Sequence, residues 1–563
     1  MKRKRFAPII LAVFATLFAP PAYGQSDRGA ITGAAGQSGL QADYRGLAKT
    51  DYSSFGPRLG FAYQLNTKTV ARGGFGLYYN PIAYNDQGEG GFEGYNPGQS
   101  NPSPGREALN TIAENGATRT PISLRNFPAL PVADPNDQAV GILSRNIEFF
   151  DKNFQLGRTA QYSLGVQRAL PFDMAIDVSY IGSRGTRLRS SFNPLNALPL
   201  EYLKLGDALL RKRVANLTAT DYEYARSLGV TLAANPDAVY PGFNNQTGNS
   251  LLAVTVAQSL RPFPQYGNIN NRLESQGQSW YNAAKVDLRR RFTRGFQFGV
   301  SYTFSKLISD AGEDLFGDTP INGVLQNPFD RRSLRTISPN NFPHSLVFNY
   351  VAELPFGKGK RFLNRGGLID RIAGGFQINA IHRYRSNIAL IPLIGGPQRE
   401  FLDLAGYGGN LRPNLTGQPF TTDITAVSAT SYRDINPNAF TRPPDFRGTT
   451  AAIGSAAYRA YYADPLRFFG NAAPTYDNLR AQPFYSEDLS ILKKTRINET
   501  AYFEIRAEFF NLFNRGRFGA PGVNLNDINP NNTANPLGNF GVSARGFNLD
   551  QPRRIQLGAR LVF

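Results

Sequence analysis

The chain has 563 residues, a formal charge of +19, two histidines and no cysteine. The missing cysteines exclude a disulfide framework, a thiol nucleophile and any Cys-containing metal site. The cations are scattered, without a long Lys/Arg tract after the first residues or a stacked-aromatic RNA motif, so nucleic acid is not expected as a partner. An anionic partner such as lipopolysaccharide or an acidic ligand fits the basic excess better.

The chain starts Met1-Lys2-Arg3-Lys4-Arg5, a basic segment. An apolar run from about Ala7 to Ala19 follows, then the small-residue pattern Ala22-Tyr23-Gly24 before Gln25. That order predicts a secretory signal peptide over residues 1–24, because the apolar run falls short of the roughly 17–25 residues needed to span a bilayer. Residues 25–50 form a weakly structured extension, and 51–563 the main domain.

Within that domain, apolar and polar side chains alternate at period two, the mark of strands with two unlike faces. Strands are expected near Pro57–Asn66, Val70–Tyr79, Ala160–Leu170, Met174–Gly182, Trp280–Arg291, Phe296–Lys306, His344–Leu354, Gly375–Ser386 and Asp488–Lys494. The two clearest come last. In Ala501–Phe509, Phe503, Ile505, Ala507 and Phe509 oppose Tyr502, Glu504, Arg506 and Glu508. In the final strand, Ile555, Leu557, Ala559, Leu561 and Phe563 oppose Arg554, Gln556, Gly558 and Arg560. Each segment is about ten residues, the length a tilted strand needs to cross a bilayer. Aromatic content of 12%, with 56 Gly and 38 Pro, suits strands and turns rather than long helices.

The connections sort by length. Asn66–Thr69, Pro171–Asp173, Thr293–Gly295 and Thr495–Thr500 are short. Asn80–Gln155, Ser183–Ser279, Ser309–Pro343, Ile391–Ser486 and Asn514–Gln551 are long. Short turns on one side and long loops on the other predict an outer-membrane β-barrel with periplasmic turns and extracellular loops. Pro355–Ala373 is the exception, longer than a turn yet on the turn side, with Lys358, Lys360, Arg361 and Arg365 at that rim. The fold class is therefore all-β: an antiparallel transmembrane β-barrel with about 11–12 visible strands. Eleven is odd, whereas single-chain bacterial barrels are usually even. Either a weak strand lies in Gly29–Thr50, or the chain is the later part of a larger barrel.

Candidate chemistry is sparse. His344 and His382 fall within strand patterns and read as wall residues, although counting alone leaves a Ser-His-Asp triad open. Gly73-Gly74-Phe75-Gly76 superficially suggests a phosphate loop, but it lies inside a strand with no following helix. Asp86, Glu89 and Glu93 offer carboxylates in a Gly-rich loop without EF-hand spacing. Glu504, Arg506 and Glu508 share one strand face and are the candidates for lumen-facing residues in a ladder of opposite charges across strands. Tyr78, Tyr79, Phe149, Phe150, Phe510, Phe513 and Phe563 suit interfacial girdles. No catalytic, cofactor-binding or metal-binding set is expected, so no enzyme.

Several motifs together resemble one family. Phe55-Gly56-Pro57-Arg58-Leu59-Gly60-Phe61-Ala62-Tyr63, Val70–Tyr79, Asn327-Pro328-Phe329-Asp330-Arg331-Arg332, Val351–Gly359, Phe509-Phe510-Asn511-Leu512-Phe513-Asn514 and the Arg553–Phe563 end resemble Oar-like TonB-dependent transporters, in order over nearly all of 51–563. The resemblance implies a 22-stranded barrel with a plugged lumen, and import of a bulky ligand. The chain departs from that family in having about 30 residues between residue 24 and the first motif, too few for a plug, and no convincing TonB box. By this comparison it matches the C-terminal part of the barrel. The resemblance implies as partners outer-membrane lipid and lipopolysaccharide, the barrel assembly machinery for which Phe563 would be the C-terminal signal, an unknown extracellular ligand, and the TonB complex only if a plug is supplied elsewhere. The expected location is the outer membrane of a Gram-negative cell. Two alternatives stand beside uptake: a plugless barrel acting as passive pore or adhesion scaffold, and a secreted soluble β-rich enzyme.

Overall fold

The computed structural model describes residues 10–12, 54–79, 147–149, 155–190, 195–235, 254–264, 267–271, 274–311, 325–498, 500–545 and 552–563. One antiparallel sheet dominates. Its strands, in sequence and in space, are β1 (Ile10–Ala12), β2 (Arg58–Asn66), β3 (Thr69–Tyr79), β4 (Arg158–Leu170), β5 (Met174–Ser190), β6 (Glu274–Thr293), β7 (Phe296–Ser309), β8 (His344–Glu353), β9 (Phe376–Arg385), β10 (Phe484–Arg496), β11 (Tyr502–Phe510) and β12 (Arg554–Val562). A two-residue strand, Thr336–Ile337, pairs with the end of β7.

All eleven expected strands are present. β1 adds a twelfth within the apolar run of residues 7–19, with Ile10 opposite Ala62 and Ala12 opposite Gly60. β5 and β6 run well past their expected ends, to 17 and 20 residues. The reason is physical. Alternation marks only the stretch where one face carries apolar side chains, while the hydrogen-bond ladder continues past it through register shifts at Gly185, Leu188 and Ser190.

Each strand pairs with its sequence neighbour, so the long connections fall at one end of the sheet and the short ones at the other. The β4–β5 and β6–β7 turns show how tight the turn side is. Phe172 and Asp173 have φ of 61° and 58°, and Arg294 and Gly295 have 52° and 78°. Two consecutive positive φ values give the turn that matches the right-handed twist of a hairpin. Pro355–Ala373 lies on this side, where it forms a glycine-rich turn and a short helix, Leu368–Ala373. Val562 pairs with Tyr502 at the start of β11, which puts Phe563 at the turn side as well.

The sheet carries few buried apolar residues. Leu59, Phe61, Leu164, Val178, Phe304, Ile505, Leu557 and Leu561 stay exposed, Leu557 to 76%. Cross-strand register puts them on one face: Phe61 opposite Gly73, Gly73 opposite Leu164, Leu164 opposite Tyr180, Tyr180 opposite Ala284, and Ala284 opposite Phe304. The large buried cluster is elsewhere. It comprises Leu198, Leu203, Leu205, Leu209, Tyr224, Phe401, Leu402, Tyr458, Tyr462, Phe468 and Phe540 among others, all in the long connections.

Candidate functional site

The polar face of the sheet collects the charges. Arg506 donates to Glu504 at 2.9 Å and to Glu508 at 3.4 Å, so the three expected residues do meet. They pair mainly along β11. The cross-strand member is Lys494 on β10, 3.8 Å from Glu504 and opposite it in register. Further along the same face, Lys285 and Asp287 pair at 2.9 Å. A shallow groove on β3, β4 and β5 is lined by Arg72, Ser163, Gln167, Asp177 and Ser179.

The glycine motif at 73–76 is strand, as its surroundings suggest. A Cβ on Gly73 would fall 2.3 Å from the Phe61 ring, so the position serves ring packing and leaves no cradle for a phosphate. His344 and His382 both lie on the apolar face. The His344 ring, 5.2 Å from Phe304, bonds Tyr302 Oη through Nδ1 at 2.8 Å. His382 stacks on Phe348 at 5.8 Å and Tyr350 at 5.9 Å. Among the described residues no three His, Asp or Glu side chains converge on a possible metal site. Asp86, Glu89 and Glu93 lie outside the described residues, as do Phe150 and the segment Gly29–Thr50.

Aromatics do gather at the ends of strands, and the expected membership holds in part: Tyr79, opposite Arg158, lies at the loop-side edge of the apolar face. Tyr78 shares the polar face with Arg58, whose guanidinium sits 4.6 Å from its ring. Phe510, opposite Arg554, is on the polar face too. The loop-side edge of the apolar face also carries Tyr162, Tyr180, Trp280, Tyr302, Tyr384 and Tyr485. Glu487 also lies here, fully buried, with Arg515 Nε donating to both its oxygens at 2.9 and 3.0 Å.

The long connections are not separate loops. They interlock into one cap. Leu198 N–H donates to Ala405 O at 2.8 Å, and Tyr407 Oη donates to Leu198 O at 2.7 Å. Tyr458 Oη donates to Leu205 O at 2.8 Å. Gln326 Nε2 reaches Gly470 O at 2.7 Å, and Arg433 Nε reaches Phe540 O at 2.7 Å. Four of the five long connections are thereby joined. Arg261 is enclosed where it donates to Leu404 O at 3.1 Å, and burial pulls its guanidinium down to about 10. Burial likewise raises the Tyr407 and Tyr458 phenols. Such groups are held by carbonyls and packing, which makes the cap a rigid platform. From it projects an exposed hairpin, Thr421–Ser428 with Ser431–Ile435, bearing Ile424 at 71% exposure.

Sequence reading missed the cap because its elements are short. The signal was present as apolar clusters in segments otherwise taken for loops: Leu203, Leu205, Leu209 and Leu210, then Phe401-Leu402, then Tyr461-Tyr462 and Phe468-Phe469.

Among curated proteins, no sequence matches this one. Solved structures do. The chain is 8% identical to the ferripyoverdine receptor of the outer membrane of Pseudomonas aeruginosa bound to ferripyoverdine, with a TM-score of 0.34, covering 90% of this chain and 33% of the receptor. It is 9% identical to the outer membrane transporter YddB from Escherichia coli, with a TM-score of 0.36, covering 90% and 40%. It is 8% identical to the ferric yersiniabactin uptake receptor FyuA from Yersinia pestis, with a TM-score of 0.31, covering 90% and 37%. The chain thus spans less than half the length of these proteins. Residues 15–556 match the family described as outer membrane beta barrel domain. With nearly the whole sequence inside that match and a sheet whose apolar face stays exposed, the chain belongs to the outer membrane beta barrel domain family.

Proposed function

We propose that the chain is the barrel part of a TonB-dependent type of uptake receptor, with the cap presenting the binding surface for a bulky extracellular ligand. One observation carries this: the sheet leaves its apolar face exposed, while the buried apolar cluster sits in the joined long connections. A soluble sheet would bury that face, since exposed apolar patches of this extent mark membrane or partner contact. A passive pore would not need long connections locked into one folded unit. In this reading the turn side faces the periplasm, the cap lies outside, and Glu504, Arg506 and Glu508 line the lumen. Residues 1–24 serve export, and Phe563 contributes to recognition by the barrel assembly machinery.

The second reading, a passive pore, is favoured by the charged polar face, which would suit a water-filled path. Planar-bilayer conductance of the detergent-purified chain separates the two. Uptake predicts little steady conductance from the intact protein and a rise after deletion of cap residues 397–480. Large, steady conductance from the intact protein would sink the receptor reading in favour of the pore. Failure to show heat-modifiable migration on a gel, with recovery from the soluble periplasm, would overturn both.

A further inference from the structure

On the apolar face, charged side chains avoid the middle of the strands. Arg168, Arg290 and Lys493 lie near the turn side, spread over three strands, and Lys493 is taken up by the carbonyls of Ile372 and Gly374. At the loop side the cations are grouped. Arg158 on β4 is opposite Thr186 and donates to its hydroxyl at 3.1 Å. Arg184 on β5 is opposite Trp280 on β6, and its guanidinium lies 5.1 Å from the indole ring. Arg335, arriving from the connection that follows β7, lies 3.9 Å from the same ring. Lys306 on β7 is opposite Asn282, whose amide oxygen accepts from Tyr180 Oη at 2.6 Å.

None of these four cations pairs with a carboxylate among the described residues. Glu487, the carboxylate on this face of β10, is neutralised by Arg515. Arg184, Arg335 and Lys306 are exposed. Cations gathered without counter-charge beside an apolar belt repel one another, and they are favoured only where an anion is supplied from outside. Aromatic rings beneath the guanidinium groups hold them in place, since Arg stacks on a ring while its N–H groups remain free to bind oxygen. The grouping sits where the apolar belt ends on the cap side.

We infer that Arg158, Arg184, Arg335 and Lys306, arranged around Trp280, form a binding site for the phosphate groups of an outer-leaflet glycolipid. The inference rests on the proposed orientation, with the cap outside. Apolar contacts from Tyr180, Ala284 and Phe304 would meet the acyl chains, and the cations would meet the phosphates. Bidentate Arg–phosphate pairing gives the site its preference for phosphate over an uncharged sugar.

Trp280 is the single tryptophan of the chain, so intrinsic fluorescence reports this site alone. The purified protein is titrated in detergent with a diphosphorylated glycolipid, with the same lipid after phosphate removal, and with inorganic phosphate. A saturable change with the phosphorylated lipid is expected, absent with the other two at equal concentration. Arg184→Gln with Arg335→Gln should weaken binding by at least about tenfold, and Lys306→Gln by less, while heat-modifiable migration stays normal. If the double variant loses that migration, the Lys306→Gln variant and the loss of affinity at high salt decide. An equal response to the dephosphorylated lipid overturns the phosphate site, as does unchanged affinity in the variants. An equal response to inorganic phosphate shows a soluble-anion site and overturns the lipid source. Normal outer-membrane recovery with no phosphate-dependent response sinks this inference alone, whereas soluble recovery sinks the location beneath it.

Discussion

The Tyr162 ring lies over Gly182, its direct cross-strand partner on β5, in the space a side chain there would fill. A Cβ at 182 would fall 2.0 Å from a ring carbon. The ring covers a strand glycine that would otherwise leave the backbone bare, and the glycine lets the ring lie flat on the wall. The Phe61–Gly73 pair repeats the arrangement one hairpin earlier.

Gly182→Val should therefore force the Tyr162 ring off the wall and destabilise the barrel by about 1–3 kcal/mol, the usual cost of overpacking. Gly558, with nothing near its Cβ position, is the control, and Gly558→Ala should change little. Thermal loss of heat-modifiable migration measures both. Equal behaviour of the two variants would refute the steric account.

Arg506→Ala removes the cation between Glu504 and Glu508 and leaves Glu504 with its cross-strand neighbours Lys494 and Arg560. Glu504 is nearly buried, so the loss exceeds that of an exposed pair and should be on the order of 1 kcal/mol. The drop in midpoint should be larger at low salt than at high salt. If the polar face lines a conducting path in a cap-deleted protein, the variant should also shift ion preference towards cations, read as a change in reversal potential.

The cap should respond to acid through two carboxylates of opposite behaviour. Burial pushes Asp221 up, but Lys212 at 2.5 Å and the Thr218 backbone N–H and hydroxyl outweigh it and hold the group below the ordinary carboxylate range. Its contribution is complete above a pH of about 4 and lost as pH falls through its lower, folded value. Asp207 is shifted the other way, raised by burial against the pull of Arg211. Its contribution is present in acid and lost as pH rises through the raised value. Asp221→Asn should therefore lower the cap's melting temperature at neutral pH, with the gap to wild type closing in acid. Asp207→Asn should remove stability gained on mild acidification. Near-UV circular dichroism melts from pH 3.5 to 7 measure both, and parallel profiles for wild type and Asp221→Asn would contradict the assignment.

Deletion of Phe563 should lower outer-membrane levels severalfold without altering synthesis, measured by fractionation and immunoblot. Normal levels would remove its role in assembly. If residues 1–24 are cleaved on export, mass spectrometry of the mature protein should find Gln25 at its start. β1 would then be removed, and the Gly60–Ala62 stretch of β2 would be free for another partner. An intact Met1 end in the outer membrane would refute cleavage.

The sequence by itself determined the sheet. Period-two alternation is a local property, and a strand between lipid and water must express it residue by residue, as Phe503–Phe509 and Ile555–Phe563 do. It also determined which connections lie together, because antiparallel neighbours alternate ends. The same locality set the limits. Arg184 and Glu274 lie on strand past the end of the apolar belt, where neither face must be apolar and no alternation marks them. Whether Tyr78 or Tyr162 belonged to an outward girdle depended on parity within long strands, which register decides. Only tertiary structure built the cap, since the bond from Tyr458 to Leu205 joins residues far apart in sequence. It also brought Arg335 onto Trp280 beside Arg184, because such convergence depends on chain return rather than on any local pattern.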